Sequence, residues 1–349
     1  VRLAPISYTL AFPGLKPLKH WQETERILDR LIRLAAEGRP AALAVVVRIE
    51  GSAYRRPGAR LIIEEDGRSL GSVSGGCLED DVRLIAQEAM GSGRPSLRHY
   101  ETGTDDTKVW GLGLGCNGTV DVFVHPITGD AQRDVWRRVH QRLQGDRPFQ
   151  VAIATAGPEA GRAWIVGEDD APALDGSARV FTESFVPPPR LVVFGAGDDA
   201  LPLVATASGV GWRVVLVDHR PAHNTAERFP AARERFLLRP TDDLAPLRLG
   251  PDTYAVVMTH SFKHDRDWAH RLLEAGLPYV GLLGPRQRAE TILEETGATR
   301  RDRVYGPVGL DLGADGPEQV AVSIVAELMA VWSGRDARHL RTKELAVHA

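Results

Sequence analysis

Two hydrophobic periods alternate along the first half of the chain. From Trp21 to Glu37 the apolar residues Ile27, Leu28, Leu31, Ile32, Leu34 and Ala35 recur at helical spacing, and Gly38 stops the run. The next stretch, "ALAVVVRIEG", is a nearly continuous apolar run of strand length, the mark of a strand buried on both faces. "ARLIIEEDGRSLGSV" reads as two strands joined at Asp66-Gly67, a strong hairpin signal. Leu78 to Met90 returns to helical spacing, with Leu78, Val82, Ile85 and Ala89 on one face and Gly91 after it. "SLRHYE" and "TVDVFVHP" are expected strands, Ala131 to Leu143 a helix, and Val151 to Thr155 and Ala163 to Val166 further strands. Between Thr102 and Gly118 no periodic pattern is present. Patternless connections of that length are uncommon and often functional.

The pattern changes after "ESFVPPPR", whose consecutive prolines stiffen and extend the chain. Beyond it, strands at Leu191–Phe194, Val214–Val217, Ala255–Thr259 and Tyr279–Leu283 alternate with helical segments, which argues for a parallel sheet covered on both faces. The expected architecture is therefore α/β. An N-terminal α+β domain with Gly-rich cysteine loops covers residues 1–186, and a C-terminal Rossmann-type parallel-sheet domain covers residues 187–349. The polar, basic tail after Gly334 is expected to fray.

Composition narrows the function classes. A chain of 349 residues with 43% apolar and 26% charged residues suits a soluble two-domain protein. The net charge of −3 asks for neither nucleic acid nor an acidic membrane surface. Apolar runs such as Ala41 to Val47 are too short to span a bilayer, and no signal-peptide pattern is read at the start. The two cysteines do not make a disulfide framework, so a cytoplasmic location with reduced thiols is expected. Glycine is enriched, at 35 residues, which allows close backbone approach to a ligand or simply many tight turns.

Two glycine motifs compete for a dinucleotide. Gly113-Leu114-Gly115-Cys116-Asn117-Gly118 has the full G-x-G-x-x-G form, but the period-two stretch from Thr119 to Val124 follows it, so no helix N-terminus is available for a pyrophosphate. Gly195-Ala196-Gly197-Asp198-Asp199-Ala200 has the right context: a strand before, a helix after, and Asp218 at the end of the next strand to meet a ribose hydroxyl. Gly195, Gly197, Asp218 and Arg220 are the candidate nucleotide-binding residues, with NAD(P) as the ligand. Asp198 and Asp199 would cap the helix and repel a pyrophosphate, so a Rossmann domain without nucleotide is equally compatible.

Each cysteine falls in a Gly-rich loop. Cys77 follows Ser74-Gly75-Gly76 at a helix start, where backbone N–H groups form an anion nest and favour a thiolate, while Glu79, Asp80 and Asp81 oppose it. The plainer alternative is a small packed cysteine at a strand–helix corner. If the Cys77 and Cys116 loops face each other, they suit a soft metal or a sulfur-bearing cofactor, being too few for structural zinc. Arg55 and Arg56 offer phosphate clamping or only a solvated arm. His260 ends a strand at the carboxyl edge of the second sheet, where ligands gather in open α/β folds, and is a cofactor-binding candidate with a purely structural role equally compatible; His264 reads as solvated.

Taken in order, "GSAYRRPGARLII", "GSVSGGCLEDDV", "GLGLGCNGTVDVFVHP", "GAGDDA", "VDHRP", "VMTH", "YVGLLGPR" and "PVGLDLGADGPEQVAVSIVAELMA" resemble the XdhC/CoxI family of accessory proteins for xanthine dehydrogenase and related molybdenum hydroxylases. The resemblance implies a molybdenum cofactor chaperone. Such a protein holds the pterin cofactor while a sulfido ligand is installed, then delivers it to the apo-hydroxylase. It implies xanthine dehydrogenase or a related hydroxylase and a cysteine desulfurase as partners, and a homodimer. The matched positions are Ser74, Gly75, Gly76, Cys77 and Glu79, then Gly113, Gly115 and Cys116, with Cys77 against the molybdenum or its transferable sulfur. Asn117, Pro285 and Asp198 depart from the family's usual Gly, Ser and His. An accessory role is expected rather than a complete xanthine dehydrogenase, whose iron–sulfur clusters need many more cysteines than two. The alternatives are an NAD(P)-dependent oxidoreductase and a nucleotide-sensing interaction module.

Overall fold

The computed structural model describes residues 20–51, 53–101, 118–297 and 301–342. The chain divides into two compact units, Val1–Pro187 and Pro188–Ala349.

The first unit is built on an antiparallel sheet of β1 (Ala41–Gly51), β2 (Arg60–Glu64), β3 (Ser69–Gly71), β4 (Ser96–Glu101) and β5 (Gly118–Ile127), in the order β3-β2-β1-β5-β4. Helices α1 (Trp21–Ala36) and α3 (Asp130–Leu143) cover one face, and α2 (Glu79–Ser92) covers the other. The central strand β1 sends Ala41, Leu43 and Val45 into the first layer and Ala42, Ala44 and Val46 into the second. Burial on both sides explains its unbroken apolar run. The expected Asp66-Gly67 turn joins β2 to β3, with Gly67 at φ +82°, a conformation that favours glycine.

A second, three-stranded sheet, β6 (Phe149–Ala156), β7 (Ala163–Ile165) and β8 (Arg179–Phe185), adds Phe149, Val151, Ile153 and Phe185 to the core beneath α1 and α3. Strand β8 was not among the expected elements. Its first residues are exposed, and only Glu183 and Phe185 are buried, so it carries little hydrophobic signal. The buried Arg60 guanidinium of β2 pairs with Glu183 of β8, donates to the Gly58 carbonyl at 2.6 Å and lies 5.2 Å from the Phe185 ring centroid. His125 is fully buried between Phe123 and Trp136, with ring centroids at 5.6 and 6.0 Å, and burial drives its pKa down to about 4.

The second unit is a parallel sheet of β9 (Arg190–Phe194), β10 (Arg213–Val217), β11 (Glu234–Phe236), β12 (Thr253–Val257), β13 (Tyr279–Leu282) and β14 (Val304–Tyr305). Its order is β11-β10-β9-β12-β13-β14, so in chain sequence the strands run 3-2-1-4-5-6, the order of the dinucleotide-binding α/β fold. Helices α4 (Ala200–Gly209) and α7 (Pro317–Ser333) pack on one face, and α5 (Phe262–Glu274) and α6 (Arg286–Glu295) on the other. The strand expected to reach Thr259 ends at Val257, because the Thr259 N–H turns out of the ladder to Asp265 Oδ1 at 3.0 Å. Among the described residues no helix is long and apolar enough to cross a membrane.

Candidate functional site

Two loops of the first unit meet beside β5. One connects β1 to β2 and carries Tyr54, Arg55 and Arg56; the other connects β3 to α2 and carries Ser74, Gly75, Gly76 and Cys77. Between them lies a cleft of about 450 Å³, within the range of small-molecule sites. Its walls are Ala53, Tyr54 and Arg55 on one side and Val73 to Leu78 on the other, with Val120 at the base. Cys77 is half-buried, with a free thiol, and lines this cleft.

The loop at Cys77 is ordered from within. Glu79, only 7% exposed, turns its carboxylate back under the loop. It accepts from the hydroxyls of Ser72 (2.7 Å) and Ser74 (2.5 Å) and from the amides of Val73 (3.0 Å), Ser74 (3.0 Å) and Gly76 (2.9 Å). The remaining amides are also taken: Gly75 donates to Ser72 Oγ at 3.0 Å, and Cys77 and Leu78 donate to Ser74 Oγ at 3.1 and 3.0 Å. Burial alone would raise the pKa of Glu79. The hydroxyl and amide donors outweigh it and hold the group near 2. The anion nest expected at this loop thus exists, but it holds a carboxylate of the chain itself. A ligand in the cleft meets the thiol and the outer surface of the loop rather than its N–H groups. Gly75 and Gly76, at φ +110° and +120°, supply the backbone turn that permits this inward wrapping.

The arginines of "RRPGAR" have three different fates. Arg55 lines the cleft and is braced by Glu23 through two bonds of 2.9 and 3.0 Å. Arg56 is exposed and stands outside the cleft lining. Arg60 is buried against Glu183 and serves the core. Tyr54, which sequence reasoning passed over, is 77% exposed and leans on Gly75, where an added Cβ would meet Tyr54 Cδ1 at 2.8 Å. Within the first unit the structure therefore brings together Arg55, Ser74, Gly75, Gly76 and Cys77, with Glu79 beneath them. Gly113, Gly115 and Cys116 lie outside the described residues.

In the second unit the expected nucleotide loop follows β9. Gly195 is at φ +119°, and a side chain there would strike the Met258 carbonyl, so glycine lets two strand ends pass closely. Each carboxylate of the loop has a partner within the chain, though Asp199 Oδ1 is buried without one. Asp198 and Asp199 were expected to cap α4, yet neither makes a side-chain cap. Asp198 pairs with Arg228 at 2.5 Å, and Asp199 with His260 Nε2 at 2.7 Å. His260 stands at the carboxyl edge as expected, in the left-handed region at φ +59°. Asp218, the residue read as a ribose acceptor, takes the Ala196 amide at 2.8 Å and the Arg220 side chain at 2.7 and 2.9 Å. Burial opposes its charge, but Arg220 and the Ala196 amide hold its pKa near 2. The hollow beside it, lined by Asp218, His219, Arg220, Thr259, Ser261 and His264 among others, encloses about 150 Å³, too small for a dinucleotide.

Comparison with known proteins agrees with this architecture. The family model described as "XdhC and CoxI family" matches residues 34–101, the segment that holds both cleft loops, and "XdhC Rossmann domain" matches residues 191–328. A protein of Bacillus subtilis, named as a probable subunit of xanthine dehydrogenase, is 34% identical over 322 residues, covering 87% of this chain and 96% of that protein. The molybdenum cofactor insertion chaperone PaoD of Escherichia coli is 26% identical, covering 92% of this chain and 96% of its own length. A crystal structure described as a xanthine dehydrogenase from Bacillus halodurans superposes with a TM-score of 0.75 at 32% identity, over 91% of this chain and 98% of that one. With these matches over both units, the chain belongs to the XdhC and CoxI family.

Proposed function

We propose that this protein is a molybdenum cofactor chaperone that holds the cofactor in the cleft at Cys77 and passes it to a molybdenum hydroxylase. The observation that carries this reading is the cleft itself: a soft thiol, a braced guanidinium and an aromatic ring converge on about 450 Å³ in the segment matched to the family. The cofactor is cargo here. Its molybdenum and sulfur atoms suit the Cys77 thiol, since soft ligands select soft partners. Arg55, held in place by Glu23, offers its guanidinium to the phosphate. The relative named as a cofactor insertion chaperone supports the same role.

The cofactor is held while its terminal sulfido ligand is installed, with a cysteine desulfurase as the sulfur source. The recipient is xanthine dehydrogenase or a related hydroxylase, and the protein works as a homodimer in the cytoplasm. The oxidoreductase and nucleotide-sensing alternatives have less support, because Asp198, Asp199 and Asp218 are all engaged by residues of the chain where a dinucleotide would bind.

The test is cofactor retention. Wild type and Cys77→Ala are loaded with molybdenum cofactor released from a molybdoenzyme, desalted, and assayed for bound molybdenum and for reconstitution of an apo-hydroxylase. Cys77→Ala is expected to lower retention about tenfold or more, as loss of a metal-site contact does. Equal retention by both would remove Cys77 from the site, and no retention by wild type would end the chaperone reading.

A further inference from the structure

We propose that Tyr54 is the stacking platform of the cleft and that it selects a planar heteroaromatic ring, the pterin of the cargo; this rests on the chaperone reading. All six amides from Val73 to Leu78 donate to Glu79, Ser72 or Ser74, so the glycine loop has no free N–H to offer a ligand. Val73, Leu78 and Val120 make much of the remaining lining apolar, with Arg55 its charged group. Recognition of a large polar ring system then falls to a group that reads shape.

Tyr54 is such a group. It is a large aromatic side chain left 77% exposed, in a protein that buries most of its aromatic residues. The ring leans on Gly75, where an added Cβ would come within 2.8 to 3.3 Å of three ring atoms. Glycine at position 75 leaves room for the ring to lie against the loop in this rotamer. The ring thus lines the cleft while supported against backbone, which limits the entropy lost when a ligand stacks on it. Stacking of planar bases on aromatic side chains is a general mode of recognition that needs no specific hydrogen-bond code. Arg55, the next residue, is tied to Glu23 and limits the movement of the loop that carries Tyr54.

The experiment measures the affinity of full-length protein for two ligands: the complete molybdenum cofactor, and pterin-6-carboxylate, whose fluorescence reports binding. Wild type, Tyr54→Phe and Tyr54→Leu are compared, with thermal melts as a control on folding. Tyr54→Phe is expected to bind both ligands within about twofold of wild type, and Tyr54→Leu to bind both about tenfold more weakly, the scale of a lost stacking contact. Equal binding by Tyr54→Leu and wild type overturns the proposal. So does an equal loss in Tyr54→Phe and Tyr54→Leu, which would make the hydroxyl the reader. If wild type binds the cofactor but not the pterin, ring recognition fails while the chaperone reading stands. If wild type binds neither, the chaperone reading fails first.

Discussion

The Ser74 hydroxyl lies 2.5 Å from the Glu79 carboxylate, and the two side chains together receive the amides that shape the loop around Cys77. Replacing Glu79 by Gln would turn an NH2 group toward donors that need an acceptor. Glu79→Gln is expected to destabilise the first unit by about 2–4 kcal/mol, the cost of buried donors left unpaired. Urea unfolding of the variant, followed by near-UV signals, measures this directly. The same group sets a pH dependence. Its folded pKa, near 2, lies below the unfolded value of 4.5, so its stabilisation is complete above pH 4.5 and is lost as the pH falls toward 2. Glu79→Gln should lack that component.

His125 acts in a higher pH window. Burial lowers its pKa from 6.5 to about 4. Between those values the unfolded chain binds the proton and the folded chain does not. Stability is therefore full above about pH 6.5 and declines as the pH falls toward 4, by at most about 3–4 kcal/mol at 1.36 kcal/mol per unit. His125→Phe, flanked by Phe123 and Trp136, should flatten the decline over that interval. Melting temperatures of both proteins from pH 7 to pH 4 provide the check, and parallel curves would exclude His125 as the source.

Gly58 guards the buried ion pair between the two sheets of the first unit. It is at φ +94°, and any side chain there overlaps the Glu183 carboxylate that pairs with Arg60. Gly58→Ala combines backbone strain with a disturbed buried charge, so a loss of about 3 kcal/mol or more is expected, seen as a lower urea midpoint or insoluble expression.

In the second unit, titration with NADH or NADPH should give no saturable binding up to millimolar concentrations. The carboxylates at this loop already have partners, Asp198 with Arg228, Asp199 with His260 and Asp218 with Arg220. A micromolar affinity by fluorescence would show that these pairs open at little cost.

The regular second unit was readable from its strand–helix alternation, because each central strand is a continuous apolar run and α5 has a clear amphipathic face, while α4 and α7 are apolar over most of their length. Its edge strands β11 and β14 were not, being three and two residues long, too short for any period to register. At the cleft, Cys77 was legible as a cysteine at a helix start. The inward turn of Glu79 was not, because the Ser74 to Glu79 spacing is not that of a capping box. Nor could the basic run reveal that Arg60 is buried while Arg56 faces solvent; that division follows from where β2 begins. Tyr54 gained meaning only when the fold set it against Gly75.

The filled amide ring beneath Cys77 has a bearing on selectivity. A carboxylate tethered a few residues from the donors it occupies behaves as a built-in competitor at very high local concentration. Free phosphate, nucleotides and organic acids must displace it to reach those donors, and each displacement would also unravel the turn that presents the thiol. The N–H groups of the glycine loop are in this way closed to the small anions that such a loop would otherwise attract, and Arg55 is left as the cationic group of the cleft lining.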